Sequence, residues 1–267
     1  MKRYQLAALC AVIMAALISS GCSKLKARDQ LNKGVTAYRN AQFQAAIEHF
    51  KQAISLDPTL LNAKLYLATA YSQQYVQGGQ SDENIKIAKQ TISAFQEVLD
   101  MNPPRDAETT SLASIGNMYY NLQDFDKAKE YQRKRIEVEP NNPEPYYWIG
   151  LIDWAIVYKS NGEMRNNLHL NIPNANGELP PLPEKARAQL AEKNGKLIDE
   201  GLDALQKAIS MNPNSFDTMS YLNLMYRQKA DIDKGADREA DLKAAQDWTQ
   251  KALNVRKQSS GGTTGTS

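Results

Sequence analysis

The sequence has few of the residues on which enzymes and metal-binding domains depend. It contains two cysteines and two histidines among 267 residues, and no HExxH, CxxC or GxSxG motif is present. Those motifs supply the paired ligands of a zinc site or an activated nucleophile. Gly78-Gly79 is too short, and too far from a Lys-Ser/Thr pair, to bind a phosphate. We therefore expect no cofactor, no metal ion and no enzymatic activity.

An excess of charge of either sign is also missing. The chain carries 32 basic and 30 acidic side chains, and 42% of its residues are apolar. This composition is ordinary for a globular protein, and the length suits one elongated domain or two compact ones. The overall balance gives no electrostatic argument for binding to nucleic acid or to an anionic membrane surface.

The longest apolar run, Leu6 to Ile18, is too short to cross a membrane. Its 13 residues would form a helix of about 20 Å, whereas the hydrocarbon core of a bilayer is roughly 30 Å thick. Lys2 and Arg3 precede the run and small residues follow it, which is typical of a secretory signal. We therefore predict that residues 1–21 are a signal peptide.

The end of this segment, Ser19-Ser20-Gly21-Cys22, resembles a bacterial lipobox. The resemblance implies that Cys22 is acylated, for example with palmitate, and becomes the first residue of a lipoprotein in the cell envelope. Cys10 leaves with the signal, so Cys22 has no disulfide partner, and acylation removes a reactive thiol. Ser23 is not acidic, which resembles lipoproteins of the outer membrane that face the periplasm. The alternative is an ordinary signal peptide cut nearby, which leaves a free periplasmic protein.

Residues 109–142 have the pattern of two helices joined by a turn. Gly116 and Ala128 are small where two helices must approach closely, and Pro140 ends the second helix. Apolar residues recur at helical spacing in the first helix, at Leu112, Ile115, Met118, Tyr119 and Leu122. The order and spacing of the residues in this segment resemble the tetratricopeptide repeat (TPR). The residues that show the resemblance are Gly116, Tyr119, Phe125, Ala128, Tyr131 and Pro140. One such unit cannot bury its apolar stripe alone, so this segment predicts neighbouring repeats.

The resemblance covers about residues 27–256 and implies an all-α fold, a right-handed TPR superhelix of antiparallel helix pairs (an α-solenoid). We divide the chain into a tether at 22–26, a TPR domain at 27–258 and a disordered tail at 259–267. About five repeats are assigned to 27–60, 61–105, 106–142, 143–215 and 216–258.

Three of these repeats, the second, the fourth and the fifth, are lengthened between their helices, the fifth by a polar turn around Asp233 to Gly235. Gln73 to Glu83 is polar and breaks the second repeat. The fourth contains an insertion at 160–183, rich in Asn, Gly and Pro. We predict that this insertion has no helix or strand, projects from the turn edge and contributes little to thermal stability.

In the TPR family the first helix of each pair lines a concave groove that binds a protein or an extended peptide. The resemblance therefore places the partner-binding residues at Tyr38, Arg39, Asn117, Tyr120, Asn121, Tyr147, Leu151, Trp154 and Arg227. Asn117 and Asn121 lie one helical turn apart, so their amides can bond to a peptide backbone, unless they only bond to adjacent helices. Tyr147, Leu151 and Trp154 would form an apolar wall. These residues predict an envelope-anchored scaffold or assembly adaptor that binds an internal segment of its partner.

The fourth repeat leaves an alternative open. Tyr146, Tyr147, Trp148 and Trp154 lie within nine residues, which is more than one core stripe needs. Some of them should face outward or into the insertion, where they could form a small-molecule site or an enzyme. Asp153 lies between Ile152 and Trp154, where it either binds a partner or bonds to a neighbouring helix. His49 is interpreted as a partly exposed helix residue rather than a catalyst.

Overall fold

The computed structural model describes residues 22–79, 81–175 and 179–261, and these residues form helices, turns and coil but no strand. Ten helices are described: α1 at 22–39, α2 at Phe43–Leu56, α3 at Leu61–Ser72, α4 at Asp82–Leu99, α5 at Arg105–Asn121, α6 at Phe125–Val138, α7 at Pro143–Asn167, α8 at Glu184–Met211, α9 at Phe216–Lys229 and α10 at Gly235–Gly261. The predicted all-α fold class is confirmed. Within the described ranges, no helix is both long enough and apolar enough to cross a membrane.

The chain forms two compact units that meet in sequence after Asp124. The first unit contains α1 to α5. Its core gathers around Phe50, which is fully buried on α2 and stacks on Tyr66 of α3 with ring centroids 5.6 Å apart. Gly34 of α1 is required here, because a Cβ at this position would come within 2.5 Å of the Phe50 ring. The glycine of the first repeat therefore allows α1 to approach α2.

The longer connection between α3 and α4 is organised by one buried side chain, Asn84. Its amide oxygen accepts a hydrogen bond from the backbone N–H of Val76 at 2.8 Å. Its amide nitrogen donates to the carbonyls of Val76 and Gly79, both at 2.8 Å. Ser81 caps α4 by accepting a hydrogen bond from the backbone N–H of Asn84. The predicted break between 73 and 83 is confirmed, and the loop is held by specific bonds.

The second unit contains α6 to α10 and has its core between α7, α8 and α9. The buried members of this core are Val157, Ile198, Leu202, Leu205, Leu222 and Met225. α7 and α8 approach closely at Gly150, where an added Cβ would lie 2.4 Å from Cγ of Leu205 and 3.0 Å from the carbonyl oxygen of Gly201. A side chain at position 150 would therefore force the two helices apart.

α6 packs into the second unit mainly through polar side chains. Its buried residues are Ala128, Lys129, Gln132 and Arg135. Nζ of Lys129 lies 2.6 Å from Oδ1 of Asp153 on α7 and 2.7 Å from Oε2 of Glu200 on α8. The Arg135 guanidinium bonds to Glu139 and Glu144. Ion pairs therefore connect α6 to α7 and α8.

The prediction of a structureless insertion at 160–183 is wrong for 160–167, which are helical, and right for 168–175 and 179–183, which are turn and coil. α7 continues to Asn167, and Leu182 is only 2% exposed because it packs against Ala186 and Leu190 of α8. The sequence pattern was misleading, because several buried residues in the last turns of α7 are polar and leave no apolar period. Asn161 accepts a hydrogen bond from Asn194 at 2.8 Å, and both side chains are buried. Such polar side chains look solvent-facing in a sequence unless their partners are known.

Arg165 attaches the insertion to the rest of the second unit. Its guanidinium pairs with Asp231, which follows α9, and both residues are buried. The Nη1 atom also donates to the carbonyls of Leu170 at 2.9 Å and Pro180 at 3.0 Å. The insertion is therefore part of the folded unit, and its removal should lower stability, contrary to the sequence-based prediction.

The ends of the chain also differ from the predictions. α1 is helical from residue 22, so the segment predicted as a tether, 22–26, belongs to the first helix. α10 continues through 259–261, where the disordered tail was predicted to begin. The predicted signal segment, 1–21, and the remainder of the tail, 262–267, lie outside the described residues. The division into repeats at the residues given above stays a prediction.

Candidate partner-binding site

Four aromatic rings lie together on α7 and α9 of the second unit. The ring of Trp154 stacks on that of Tyr158, with centroids 5.0 Å apart. Tyr221 meets Trp154 edge-on at 5.2 Å and Tyr147 edge-on at 5.6 Å. Tyr158 is 56% exposed, although large aromatic side chains are mostly covered in folded proteins. We call these four residues the aromatic ledge.

Helix geometry explains why the ledge forms. Tyr147, Trp154 and Tyr158 are separated by seven and four positions, so they lie on one face of α7. α7 starts at Pro143, after Asn142 caps it by accepting a hydrogen bond from the backbone N–H of Glu144. The N-terminus of α9 is capped in the same way by Ser215.

A cavity of about 230 Å³ adjoins the ledge where α7 and α9 begin. It is lined by Tyr147, Glu144 and Asp217, with Ser215, Thr218 and Asn212 completing the wall. Glu144 is already paired with Arg135, so the Asp217 carboxylate and the ring of Tyr147 are the groups that favour a cation here. This end of the ledge is suited to a Lys or Arg side chain of a partner.

The predicted residues of the fourth and fifth repeats differ in accessibility. Tyr147 and Trp154 are half-buried members of the ledge, and Arg227 on α9 is exposed. Leu151 is 6% exposed, so it packs inside the second unit and offers almost no surface to a partner. The indole Nε1 of Trp154 is buried without a hydrogen-bond partner in the described part of the chain. The accessible part of the predicted apolar wall is therefore aromatic, and Leu151 adds almost nothing to it.

Sequence reasoning missed two members of the ledge, Tyr158 and Tyr221. Tyr158 follows Trp154 by four residues, so the helical period was a sufficient signal for it. Tyr221 lies on another helix, and only the packing of α9 against α7 brings it to Trp154 and Tyr147.

The first unit contains the other predicted positions. Asn117, Tyr120 and Asn121 are all half-buried on α5. The side-chain oxygen of Asn117 is buried and has no hydrogen-bond partner among the described residues. Burial raises the pKa of the Tyr120 phenol. On α1, Arg39 is exposed, whereas the Tyr38 ring packs edge-on against Phe43 at 5.5 Å. Tyr38 is thus part of the packing of the first unit as well as of its surface.

Asp153 has the structural role that was one of its two predicted roles. It is completely buried and bonds to Lys129 of α6. Burial raises the pKa of its carboxyl to about 6, although the hydrogen bond and charge of Lys129 act in the opposite direction. A side chain enclosed in this way does not meet a partner.

The histidines form no recognisable chemical site. Nδ1 of His49 lies 2.8 Å from Oε1 of Gln30 on α1, within hydrogen-bonding distance. His169 is exposed, after the end of α7. In the ranges that the structure describes, no cluster of three or more His, Cys, Asp or Glu side chains could hold a metal ion.

Comparison with known proteins identifies two repeat segments in the chain. Residues 30–60 and 109–142 match the family model described as tetratricopeptide repeat. The heat shock protein STI1 of Saccharomyces cerevisiae is 29% identical over 115 residues, which are 43% of this chain. The match covers 18% of that protein, so the chain spans less than a fifth of this relative's length.

Solved structures share the fold at low sequence identity. A crystal structure of the MamA protein is similar with a TM-score of 0.57 at 15% identity, covering 91% of this chain and 98% of that one. MamA from Desulfovibrio magneticus RS-1 gives 0.56 at 14% identity, covering 87% and 96%. YrrB, described as a TPR protein with an unusual peptide-binding site, gives 0.52 at 14% identity, covering 85% and 90%. Residues 30–60 and 109–142 are therefore tetratricopeptide repeats, and the chain shares the helical fold of these solved structures.

Proposed function

We propose that the protein is a lipid-anchored scaffold or assembly adaptor of the bacterial cell envelope, which binds an extended segment of a partner protein. The aromatic ledge is the observation that carries this proposal. Rigid aromatic rings provide large contact areas at a low cost in side-chain entropy, and they dominate the binding energy of many interfaces. Tyr158, 56% exposed, is the member with most surface left for a partner.

The chemistry of the ledge suggests the kind of segment that binds. An apolar or aromatic side chain of the partner would lie on Trp154 and Tyr158. A Lys or Arg side chain would enter the neighbouring cavity beside Glu144 and Asp217. The peptide-binding site named for the structurally similar YrrB supports a peptide ligand for this fold.

The paired amides on α5 are a second part of the proposal. Asn117 and Asn121 would hydrogen-bond to the backbone of a partner segment bound at the first unit. The unsatisfied Asn117 oxygen is consistent with such a role, since buried polar atoms without partners are rare. Replacing both residues with alanine should weaken partner binding by about 1–3 kcal/mol, while far-UV circular dichroism shows unchanged helicity. Unchanged affinity in the folded double variant would remove α5 from the site.

Photo-crosslinking tests the ledge in cells. A benzoylphenylalanine residue at position 158 should give an adduct of defined mass with one partner, identified by mass spectrometry. The matched control is position 253 on α10, where Leu253 is also large, apolar and 42% exposed. With the purified partner, Tyr158→Ala should weaken binding about tenfold or more, as expected for an interface anchor, and Leu253→Ala should not. Equal crosslinking or equal affinity at the two positions would refute the ledge as the binding site.

Lipidation of Cys22 completes the proposal. Cys22 is exposed at the first described residue of α1, next to the predicted signal segment. Cells fed an alkyne analogue of palmitate should label the wild-type protein but not Cys22→Ala. The variant should also leave the membrane fraction, because acyl chains provide the stable anchor. Persistent labelling, or an unchanged membrane fraction, would favour a different processing site.

A further inference from the structure

The first turns of α1 carry a local positive charge that the balanced composition of the whole chain hides. Lys24, Lys26 and Arg28 are all exposed, and Leu25 between them is 72% exposed. Ala27, in contrast, is fully buried, so this end of α1 is fixed to the first unit. We call the four exposed residues the α1 collar.

The acidic residues near the collar neutralise only part of this charge. Asp29 is paired with Lys33 at 2.7 Å. Asp57, after α2, accepts a hydrogen bond from the Thr59 hydroxyl at 2.6 Å, which with the charges of Lys24 and Arg28 holds the pKa of this carboxyl below its usual range. Three cations of the collar therefore face one unpaired carboxylate, and the collar keeps a net positive charge.

The position of the collar in the chain brings it close to a membrane. The apolar run ends at Ile18, four residues before Cys22, so both a lipid on Cys22 and a retained apolar segment would place residue 22 at the lipid headgroups. A helix rises about 1.5 Å per residue, so Arg28 lies only about 9 Å further along α1. That distance is comparable to the Debye length of about 8–10 Å at moderate ionic strength. Electrostatic attraction to anionic headgroups therefore reaches all three cations.

We propose that the α1 collar lies on a surface of anionic phospholipid and acts as a second membrane contact beside the lipid anchor. The proposal rests on the proposed attachment at Cys22. Basic side chains near an anionic leaflet each add attraction, and Leu25 inserts at the headgroup boundary. This contact would hold the amino-terminal end of the first unit against the membrane.

Vesicle binding tests the collar without any acyl chain. The protein used is residues 22–267 with Cys22→Ser, because it keeps every fully buried core residue that the structure describes, from Ala27 onward. It should sediment with vesicles of phosphatidylcholine and phosphatidylglycerol at low salt, less at high salt, and not with phosphatidylcholine alone. Lys24→Gln, Lys26→Gln and Arg28→Gln together should lower the partition coefficient about tenfold or more.

The matched control loses the same charge elsewhere. Lys185→Gln, Lys196→Gln and Lys207→Gln together change three exposed lysines of α8 and should leave the partition coefficient within about twofold of the parent protein. Equal binding by the two triple variants, equal binding to neutral and anionic vesicles, or no binding to either would overturn the proposal. Because the protein carries no lipid, these results do not depend on whether Cys22 is acylated, which the labelling of Cys22→Ala decides separately.

Discussion

Replacing Lys129 with methionine would leave a buried carboxylate without its cation. Lys129 contacts Asp153 at 2.6 Å, and Asp153 is completely buried. The second oxygen of Asp153 has no hydrogen-bond partner in the described part of the chain, so Lys129 is important for its charge. Methionine keeps the apolar stem and removes only the ammonium group. Glu200 retains Arg133 at 2.5 Å, so the change acts mainly on Asp153.

The expected loss depends on pH in a defined direction. Burial already raises the pKa of Asp153 from 3.8 to about 6 in the folded protein. A raised pKa means that the folded chain binds this proton more tightly than the unfolded chain. The associated stability is complete below 3.8 and is lost as the pH rises through about 6. Without Lys129 the pKa of Asp153 rises further, so the variant continues to lose stability at higher pH.

The size of the effect follows from that shift. Each unit by which the pKa rises above its wild-type value corresponds to about 1.4 kcal/mol. Between pH 6 and pH 8 the additional loss reaches up to about 3 kcal/mol, which is comparable to the cost of breaking a buried ion pair. Near pH 5 the loss should be below about 1 kcal/mol, because Asp153 is mostly protonated in both proteins. Burial also raises the pKa of Asp241 to about 6, but this residue is present in both proteins and cancels in the comparison.

Tryptophan fluorescence provides the assay. All three tryptophans, Trp148, Trp154 and Trp248, belong to the second unit, so urea unfolding followed by fluorescence reports on that unit. Lys129→Met should be much less stable than wild type at pH 8 and close to it at pH 5. Adding Asp153→Asn should recover most of the loss at pH 8, because position 153 then carries no buried charge that lacks its cation. A difference that is the same at both pH values would refute the assignment of the effect to Asp153.

Four further variants test the helix packing and the bonds of the loop before α4. Gly150→Ala should destabilise the second unit by about 1–3 kcal/mol, because the added methyl group overpacks against Leu205. Its control, Gly162→Ala in the same helix, has no packing neighbour within 4 Å of the added Cβ and should stabilise the unit by about 0.5–1 kcal/mol. Equal effects of the two variants on urea unfolding would contradict this. Leu182→Ala should lower the free energy of unfolding by about 2–5 kcal/mol in the same assay. No change in stability would instead favour an insertion that projects from the unit, as the sequence predicted. Asn84→Ala should accelerate hydrogen exchange at the Val76 amide, and unchanged exchange would show that its bonds do not hold the loop.

The parts of the fold that were predictable are those that depend on local pattern. The spacing of Gly116, Ala128 and Pro140 was enough to predict one repeat. The break between 73 and 83 was predictable because the apolar period of the helix is lost there. The end of α7 was not predictable in this way. Asn161 and Arg165 read as surface residues, yet both are buried, because Asn194 and Asp231 come from distant parts of the sequence to meet them. The spacing of apolar residues shows which face of a helix is hydrophobic, but it does not show which buried polar side chains bond to each other.

The candidate site was likewise predictable only in part. Tyr147 and Trp154 were predicted from their place on a first helix, and the structure puts both on the ledge. Leu151, predicted by the same rule, lies between them on the same face of α7, yet only 6% of its surface is exposed. Whether a residue at a groove position faces outward depends on the neighbouring helices, and a single sequence does not contain that information.

The two carbonyls bound by Arg165 make this part of the chain suitable for engineering. One nitrogen atom holds Leu170 and Pro180 together, so the chain between them enters and leaves at a single point. The entropy of closing a loop grows slowly with its length, by about 0.6 kcal/mol for each doubling. A fluorescent domain or an affinity tag inserted after Asn174 would therefore leave the base of the loop intact. Such a graft would mark the protein in living cells while leaving its amino-terminal end free for the membrane.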